Sequence, residues 1–329
     1  MLDKIGICAY NPCIFRAKEA FPMKKVFIDG SAGTTGLKIY QRLGERKDIE
    51  LMILSEELRK DVSARRDLLN KCDIAFLCLP DAAAVEAVSL IENDNTVVID
   101  TSTAHRTKEG WTYGFPELKG QREKIKAAKR VANPGCHASG FIALVTPLLQ
   151  AGIIPKDALL SCFSLTGYSG GGKKMIAEYE GADRCPLLDA PRQYGLSQGH
   201  KHLPEMKKLS GLDIAPLFSP IVASYFAGME VTVPLHKAQI NGTMQEISDV
   251  YAGYYTDGVV SFNPSADESG FLSANRFEGK DSMEVTVSGN EDRILLTARY
   301  DNLGKGASGA AIQSMNIILG VDEKQSLVL

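Results

Sequence analysis

From Lys24 onward, continuously apolar runs alternate with stretches in which apolar residues recur at helical spacing. The runs predict four strands, each bounded by polar or turn residues: KKVFIDG, IELMILS, CDIAFLCLP and TVVIDTS. Three helices are predicted between them: TGLKIYQRLGE, with Leu37, Tyr40 and Leu43 at helical spacing, DLLNK, and DAAAVEAVSLIEN with an aspartate cap. Strands that alternate with helices pair in parallel through right-handed crossovers, so we expect a doubly wound α/β domain.

The pattern changes after a helix predicted to begin at Cys136. Strand-like segments follow with few helices between them: ALLSCFSLTGYSG, SPIVASYFAGMEVTVPLH, SMEVTVSGN and RILLTARY, with SGNEDR typical of a hairpin turn. This predicts an α+β unit with an antiparallel or mixed sheet. The chain ends in a glycine-rich loop and an apolar helix, DNLGKGASGAAIQSMNIILG. Because that helix has no sheet of its own, we expect it to pack on the first domain.

Composition places the chain among ordinary globular proteins. Its 329 residues suffice for about two domains, and 44% of them are hydrophobic and 23% charged. A net charge of -3 gives no electrostatic reason to expect nucleic acid or an acidic membrane as a partner. Seven cysteines without a CxxC pair indicate a reducing compartment, the cytoplasm. Cys72 and Cys78 are expected in a buried strand.

Residues 1–22 need separate treatment. They lack the apolar core of a secretory signal, and Asp3 and Glu19 argue against a transit segment. We expect this N-terminal extension to lie outside the fold, which would then open at Met23. No run in the chain approaches the ~20 apolar residues that span a bilayer, so no membrane is predicted.

The stretch FIDGSAGTTG follows the first predicted strand and opens the first helix. Its glycines would permit a tight turn and a close backbone approach to a pyrophosphate at the helix N-terminus. The spacing differs from the usual G-x-G-x-x-G, and a glycine-rich turn without a ligand is the alternative. The predicted dinucleotide contacts in this stretch are Gly30, Ser31, Gly33, Thr34, Thr35 and Gly36.

The end of the second strand distinguishes NAD from NADP. An Asp or Glu about 20 residues past the glycines would bind the ribose 2′-hydroxyl, whereas here the strand ends in Ser55. Arg59 and Lys60 follow closely, and a hydroxyl with two cations suits a 2′-phosphate. We therefore predict NADP(H), although Glu56 leaves open a solvated helix start of mixed charge.

Cys136 follows a Pro-Gly turn in RVANPGCHASGF. At the start of a helix, the dipole and the unpaired N–H groups would lower the thiol pKa and favour a nucleophile. The alternative is a small apolar residue in a core. A nucleophilic thiol needs a proton partner, and His137 is poorly placed because adjacent helical residues point apart.

The stretch SQGHKHLPEM contains two of the five histidines. In extended backbone His200 and His202 would share a face, with Glu205 close behind as an orienting carboxylate. They are the best candidates for the proton shuttle, and two surface histidines are the alternative. Since H-x-H without a third ligand is a poor zinc signature, no metal is predicted.

Two further stretches offer contacts for anions. TSTAHR lies at the carboxyl edge of the predicted sheet, where α/β proteins bind ligands, and Arg106 supplies a fork suited to carboxylate or phosphate. GYSGGGKK offers hydroxyls, flexible backbone and Lys173. The alternative for the second stretch is a glycine-rich loop with solvated lysines.

Together these residues resemble the N-acetyl-γ-glutamyl-phosphate reductase family of arginine biosynthesis, in its shorter type. The shared stretches occur in family order and cover nearly the whole chain from Met23: GSAGTTG, DTSTAHR, YGFPEL, NPGCHASG, GYSGGGK, GHKHLPE and NLGKGASGAA. The resemblance implies an NADP-dependent enzyme of the aspartate-semialdehyde and glyceraldehyde-phosphate dehydrogenase type. It implies a Rossmann domain, 23–135 plus 302–329, with an inserted α+β catalytic domain, 136–301.

The resemblance also implies the chemistry. Cys136 would attack an acyl phosphate, and hydride from NADPH would reduce the thioester to a semialdehyde, with one of the two histidines moving the proton. The implied substrate contacts are Arg106, Ser169, Gly170 and Lys173, and the loop with Asn302, Gly304 and Lys305 would face the nicotinamide. A homo-oligomer, dimer or tetramer, is implied as well. The family usually has Tyr after the cysteine, where this chain has His137.

Two alternatives remain open. Aspartate-semialdehyde dehydrogenase would share fold, thiol and cofactor but use a four-carbon substrate. A non-catalytic dinucleotide-sensing protein would keep the glycine-rich turn but would not need Cys136, His200 and His202.

Overall fold

The computed structural model describes residues 23–256 and 258–329, so the prediction made for residues 1–22 lies outside the described residues. Within these ranges the chain forms two sheets. The predicted domain limits at 135/136 and 301/302 stay predictions.

The first sheet is entirely parallel. Its strands are β1 Lys24–Asp29, β2 Ile49–Met52, β3 Ile74–Leu77, β4 Val97–Asp100, β5 Thr112–Tyr113 and β6 Arg130–Ala132, in the order β2-β1-β3-β4-β6-β5. The accompanying helices are α1 Thr34–Leu43, α2 Val62–Lys71, α3 Asp81–Ser89 and α4 Gln121–Ala127. The predicted doubly wound sheet is confirmed. The short β5 and β6 are not predicted, because so few residues give no recognisable apolar run.

The helix predicted at α1 is confirmed, whereas the aspartate cap predicted for α3 is wrong. In α1, Leu43 is buried, but Leu37 and Tyr40 are exposed by 44% and 39%. The buried face of α1 instead carries Gly36, which packs closely against the preceding turn. In α3, Asp81 is the first helical residue rather than the cap, because its carboxylate accepts hydrogen bonds from the N–H and hydroxyl groups of Thr103.

The second sheet is mixed, as predicted. Its strands are β7 Ser161–Gly167, β8 Arg192–Gln193, β9 Leu217–Ala223, β10 Met229–His236, β11 Val260–Phe262, β12 Met283–Gly289 and β13 Arg293–Tyr300, in the order β11-β12-β13-β10-β7-β9-β8. The pairs β7–β9 and β11–β12 are parallel, and the others are antiparallel. The hairpin between β12 and β13 is confirmed, with the backbone groups of Asn290 and Arg293 paired.

Helices are more numerous beside this sheet than the sequence predicts. They are α5 Cys136–Gln150, α6 Gly172–Glu180, α7 Leu203–Ser210 and α8 Met244–Tyr254. The last three escape prediction because each buries only a narrow stripe among polar residues. Helix α5 begins at Cys136, as predicted, and is buried along most of its length because its Phe141 and Leu144 share one core with Val231 and Leu296 of the sheet.

The last helix, α9 Gly309–Leu319, packs on the first sheet, as predicted: Ile312 and Met315 share a core with Val26 and Ile99. A π-helical turn over Gly304–Ser308 precedes it. π-Turns of this kind recur at functional sites, and this one directs the end of the chain back to the first domain.

Candidate active site

A cavity of about 600 Å³ opens at the carboxyl ends of β1 and β3. Gly30 has φ +86°, and a Cβ there would lie 2.3 Å from the carbonyl oxygen of Cys78, so only glycine fits. The first turn of α1 has no side-chain cap, which leaves its N–H groups for an anionic ligand. These features fit the pyrophosphate of a dinucleotide. Cys72 is buried as predicted but caps the end of α2 instead of lying in a strand, and Cys78 follows the last residue of β3, is half-buried and lines this cavity.

Of the predicted dinucleotide contacts, five line this cavity: Gly30, Ser31, Gly33, Arg59 and Lys60. Gly36 packs beneath the turn, where a Cβ would lie 2.3 Å from the carbonyl oxygen of Gly30. Thr34 begins α1, and Thr35 lines a second cavity described below. Ser55 does not line the cavity; its carbonyl accepts the N–H of Arg59 at the start of a turn.

The cations around this cavity differ in availability. Arg59 is paired with Glu56 at 2.7 Å. Lys60 has no ion-pair partner within 23–256 and 258–329, and the same is true of Lys173 at the start of α6. Lys173 lines the dinucleotide cavity and not the cavity beside Cys136, so the structure puts it away from the predicted substrate contact.

The second cavity, of about 410 Å³, contains Cys136 in its wall and lies between the two sheets. Gly170 and Gly171 line it, while Lys173, two residues further, lines the dinucleotide cavity. Thr35 of α1 reaches it from the other side. The two cavities are therefore adjacent, which is the arrangement that a transfer between a bound dinucleotide and a group on the thiol requires. We call the second one the thiol cavity.

The environment of the thiol differs from the one predicted. Burial raises the pKa of the half-buried Cys136, and this outweighs the opposing effects of Arg106, of a hydrogen bond from the backbone N–H of His137, and of Lys201. The helix start does act in the predicted direction, through that N–H group. The net direction is nevertheless opposite to the prediction, because desolvation disfavours the thiolate.

The two candidate histidines both line the thiol cavity, though the predicted extended backbone is wrong. The N–H of Leu203 donates to the carbonyl of His200 at 3.0 Å, so the segment is a turn. This turn brings Lys201 to the same cavity as His200 and His202. Lys201 is not among the predicted site residues, because an extended backbone would have directed it to the opposite face.

The histidine rings differ in their hydrogen bonds. Nδ1 of the half-buried His200 accepts the N–H of His202 at 3.2 Å, so the proton of its neutral ring lies on Nε2. His202 is buried, and its Nδ1 has no hydrogen-bond partner. Burial lowers the pKa of both rings, so both are neutral near pH 7.

His137 is fixed by its neighbours. Its Nδ1 lies 2.7 Å from the hydroxyl of Ser164, and its Nε2 lies 2.7 Å from the hydroxyl of Tyr194. Burial lowers its pKa to about 3, so the ring is neutral at ordinary pH. His137 lines the thiol cavity with Cys136, and both of its ring nitrogens are hydrogen-bonded; that it does not shuttle the proton stays a prediction.

Glu205 makes its hydrogen bonds away from the two candidate histidines. Its Oε1 accepts the hydroxyl of Tyr113 at 2.6 Å and the N–H of Gly135 at 2.7 Å. Its Oε2 lies 3.2 Å from Nη1 of Arg106. Arg106 in turn is largely buried and does not line the thiol cavity. The carboxylate therefore anchors the turn before Cys136 instead of orienting His200.

Most of the residues predicted to contact the coenzyme from the last loop do not line the thiol cavity, and other residues of that loop do. Asn302 lines it and donates to the hydroxyl of the buried Ser169 at 3.0 Å. Gly304 and Lys305 are buried and line neither cavity. The sequence analysis missed Gly306, where a Cβ would lie 3.1 Å from Cβ of Cys136.

Lys305 has a structural place. Its Nζ lies 2.6 Å from Oε1 of Glu117 and 2.6 Å from Oε1 of Gln313, and it sits 4.8 Å from the centre of the Phe115 ring. All of this is buried. The pair ties the π-helical turn to the first domain and so holds the loop that closes the thiol cavity.

In residues 23–256 and 258–329, no group of three or more His, Cys, Asp or Glu side chains is arranged to hold a metal ion. A search of the same residues finds no helix with the length and apolar character to cross a membrane.

Comparison with known families assigns both parts of the chain. Residues 18–128 match the family described as the semialdehyde dehydrogenase NAD binding domain, and residues 136–302 match the semialdehyde dehydrogenase dimerisation domain. The predictions of a nicotinamide-dinucleotide domain and of an oxidoreductase are thus confirmed. Aspartate semialdehyde dehydrogenase II from Vibrio cholerae shares the fold, with a TM-score of 0.71 and 20% identity over 91% of this chain and 99% of that one.

Curated relatives are similar over nearly their whole length. N-acetyl-gamma-glutamyl-phosphate reductase 2 of Nostoc sp. is 46% identical over 318 residues, 92% of this chain and 99% of the relative. The N-acetyl-gamma-glutamyl-phosphate reductase of Chelativorans sp. is 48% identical over 307 residues, 90% of this chain and 98% of the relative. With the cysteine, the histidine turn and the dinucleotide cavity described above, the chain belongs to the N-acetyl-gamma-glutamyl-phosphate reductase family of the semialdehyde dehydrogenases.

Proposed function

We propose that this chain reduces N-acetyl-γ-glutamyl phosphate to N-acetylglutamate semialdehyde and phosphate with NADPH, a step of arginine biosynthesis. The observation that carries the proposal is the position of Cys136, the first residue of α5, in the wall of a cavity adjacent to the dinucleotide cavity. The names of the relatives supply the substrate class.

The chemistry follows from a thiolate beside a bound coenzyme. Cys136 attacks the acyl carbon, the bond from that carbon to the phosphate oxygen breaks, and phosphate leaves with the electron pair. NADPH, when bound, supplies the hydride that the thioester carbon accepts. The oxygen takes a proton from a side chain and gives it back as the carbon–sulfur bond breaks, which releases the aldehyde and restores the thiolate.

We assign that proton to His200. Its Nε2 carries a proton, because its Nδ1 accepts the backbone N–H of His202. The ring is half-buried in the thiol cavity, so Nε2 is free to meet a substrate oxygen. His202 is the alternative, and its buried ring, with Nε2 beside Gly135, supports a positioning role next to the turn before Cys136.

We assign the binding of the substrate's anionic groups to Lys201. Among the described residues that line the thiol cavity, it is the one Lys or Arg. Arg106 donates to Glu205 and to the carbonyl groups of Thr101 and Asn133, and Lys173 lines the dinucleotide cavity. Of the remaining sequence candidates, Gly170 lines the cavity and can offer its backbone.

Assembly and location complete the proposal: a homo-oligomer, a dimer or tetramer, in the cytoplasm. One face of the second sheet is open, and on it Phe163 and Leu295 are exposed by 43% and 42%. The family description as a dimerisation domain supports a second copy on this face. Sedimentation equilibrium would give a particle mass above the 35.7 kDa of one chain. Free thiols at all described cysteines support a reducing compartment.

Replacing the nucleophile tests the mechanism directly. Cys136→Ser should lower turnover of the acyl phosphate by on the order of 10³-fold or more, because a neutral hydroxyl replaces the thiol. NADPH binding, followed by its fluorescence, should not change. Cys185→Ser, at an exposed thiol, is the matched control and should keep full turnover. Normal turnover by the Cys136 variant would remove the thioester from the mechanism.

Coenzyme preference is tested at the dinucleotide cavity. Arg59→Ala and Lys60→Ala should each weaken NADPH binding about tenfold, because a charge-assisted bond to the 2′-phosphate is lost. Binding of NADH should hardly change. Arg66→Ala, which breaks an exposed pair with Glu92, is the control. A wild-type kcat/KM for NADH equal to that for NADPH would contradict the preference.

The proton shuttle is tested by two asparagine variants. His200→Asn should lower kcat by about 10²–10⁴-fold, the usual contribution of a positioned acid–base, with little effect on NADPH affinity. His202→Asn should lower kcat less. Steady-state kinetics with both variants decides between them. If neither variant loses more than about tenfold, both histidines are excluded as the shuttle.

The anion contact is tested in both reaction directions. Lys201→Met should raise KM for the acyl phosphate, and KM for phosphate in the reverse reaction, by about 10–100-fold, the loss of one charge-assisted hydrogen bond. Lys207→Met, on the exposed side of α7, is the matched control. Lys173→Met should instead weaken NADPH. Unchanged KM values for Lys201→Met would move the anion contact elsewhere.

A further inference from the structure

The turn before Cys136 is held by a buried cluster that joins the two domains. Glu205 of α7 accepts the N–H of Gly135 and the hydroxyl of Tyr113, at 2.7 and 2.6 Å. Arg106 pairs with the same carboxylate at 3.2 Å. Glu205 is 1% exposed, so these bonds are made without competition from water.

Arg106 also holds the chain that leads to this turn. Its Nε donates to the carbonyl of Asn133 at 3.0 Å and its Nη2 to that of Thr101 at 3.1 Å. The arginine therefore links the ends of β4 and β6 to α7.

Gly135 has no room for a side chain within this cluster. A Cβ there would lie 2.3 Å from Nη1 of Arg106, 2.6 Å from Nε2 of His202 and 2.8 Å from Oε2 of Glu205. The residue that caps α5 is thus in direct contact with both charges of the pair. Cys136 follows it immediately, so both charges also lie close to the thiol.

The two charges act on the thiol in opposite directions. Arg106 lowers the pKa of Cys136, and Glu205 raises it. The remaining titratable or charged side chains around the thiol are His137, Tyr194, His200, Lys201, His202 and Tyr300. Of these, Lys201 lowers the thiol pKa further. Since burial already disfavours the thiolate, the balance between the two partners decides how much of the thiol ionises.

We propose that Arg106 and Glu205 are positioning residues that together fix the turn before Cys136 and cancel each other's charge beside its thiol. The proposal rests on Cys136 being the nucleophile of the proposed reaction. The consequence is a thiol that stays protonated in the resting protein, because burial disfavours the thiolate and Glu205 offsets the arginine that would favour it. The thiol ionises when a proton acceptor and the substrate are in place.

The test is the pH dependence of Cys136 alkylation by iodoacetamide, followed by mass spectrometry of the peptide that contains Cys136. Glu205→Gln keeps the side-chain volume and an oxygen that accepts the N–H of Gly135, but it removes the charge. It should move the midpoint of the alkylation pH profile about one pH unit lower. Arg106→Met should move it about one pH unit higher. The double variant Arg106→Met/Glu205→Gln should return to within about half a unit of the wild type.

Opposite signs are the diagnostic result, since loosened packing alone would move both single variants in the same direction. Midpoints that shift together, or that do not shift, would overturn the proposal. Arg66→Met and Glu92→Gln, in an exposed pair elsewhere, should leave the midpoint unchanged.

If Arg106→Met does not fold, as judged by thermal unfolding, Arg106→Lys replaces it. The lysine keeps the charge and should keep the wild-type midpoint, while Glu205→Gln still shifts it lower; a Glu205→Gln midpoint equal to that of the wild type then overturns the proposal. Alkylation needs neither substrate nor coenzyme, so this result is separate from a failure of the proposed reaction. If the two variants shift the alkylation midpoint in opposite directions but the proposed reaction is not observed, the roles of Arg106 and Glu205 stand and the proposed substrate is wrong.

Discussion

The connection over residues 133–135 is the constraint that fixes Cys136 and the wall of the thiol cavity. Asn133 donates its N–H to the carbonyl of Asp100 at 2.7 Å and its side-chain amide to the carbonyl of Ala307 at 3.0 Å. Its own carbonyl accepts from Arg106. Cys136 therefore cannot move without disturbing the end of β4 and the last loop. A short, hydrogen-bonded link between two rigid sheets holds Cys136 more precisely than a free loop would.

Burial at this junction has two chemical effects. It limits the access of water, which would protect the proposed thioester from hydrolysis. It also disfavours the thiolate, which raises the pKa of Cys136. Two cations act in the opposite direction and lower that pKa. Arg106 is paired with a carboxylate, while Lys201 has no ion-pair partner in the described part of the chain. This is why Lys201, and not Arg106, is the proposed contact for the substrate's anionic groups.

Similarity in fold and similarity in sequence tell different things about this chain. A structure with 20% identity shares the whole fold, with its parallel dinucleotide sheet and its mixed second sheet. Such a fold supports several substrates, because the residues around the thiol can change without altering either sheet. Relatives at 46% and 48% identity share the family as well. In this chain the stretch GHKHLPE contributes His200, Lys201 and His202 to the thiol cavity.

Local patterns in the sequence predicted what local physics determines. Apolar runs and helical periods led to the parallel sheet, the hairpin and the start of α5 at Cys136, because each is encoded within a few neighbouring residues. Gly30 was recognisable because a strand, a turn and a helix meet there with no space for a side chain. The family followed from motifs that lie in order along the chain.

Only the tertiary structure decided the roles that depend on contacts between distant segments. Glu205 meets Gly135 and Arg106 across intervals of 70 and 99 residues, and no periodicity records such a meeting. Lys305 is paired with Glu117 instead of a coenzyme for the same reason. Lys201 enters the thiol cavity through a turn that an alternating pattern cannot reveal. The sequence by itself thus determined which residues could do chemistry. Packing determined which of them face one another, because the electrostatic field and the burial of a side chain come from the neighbours that the fold places beside it.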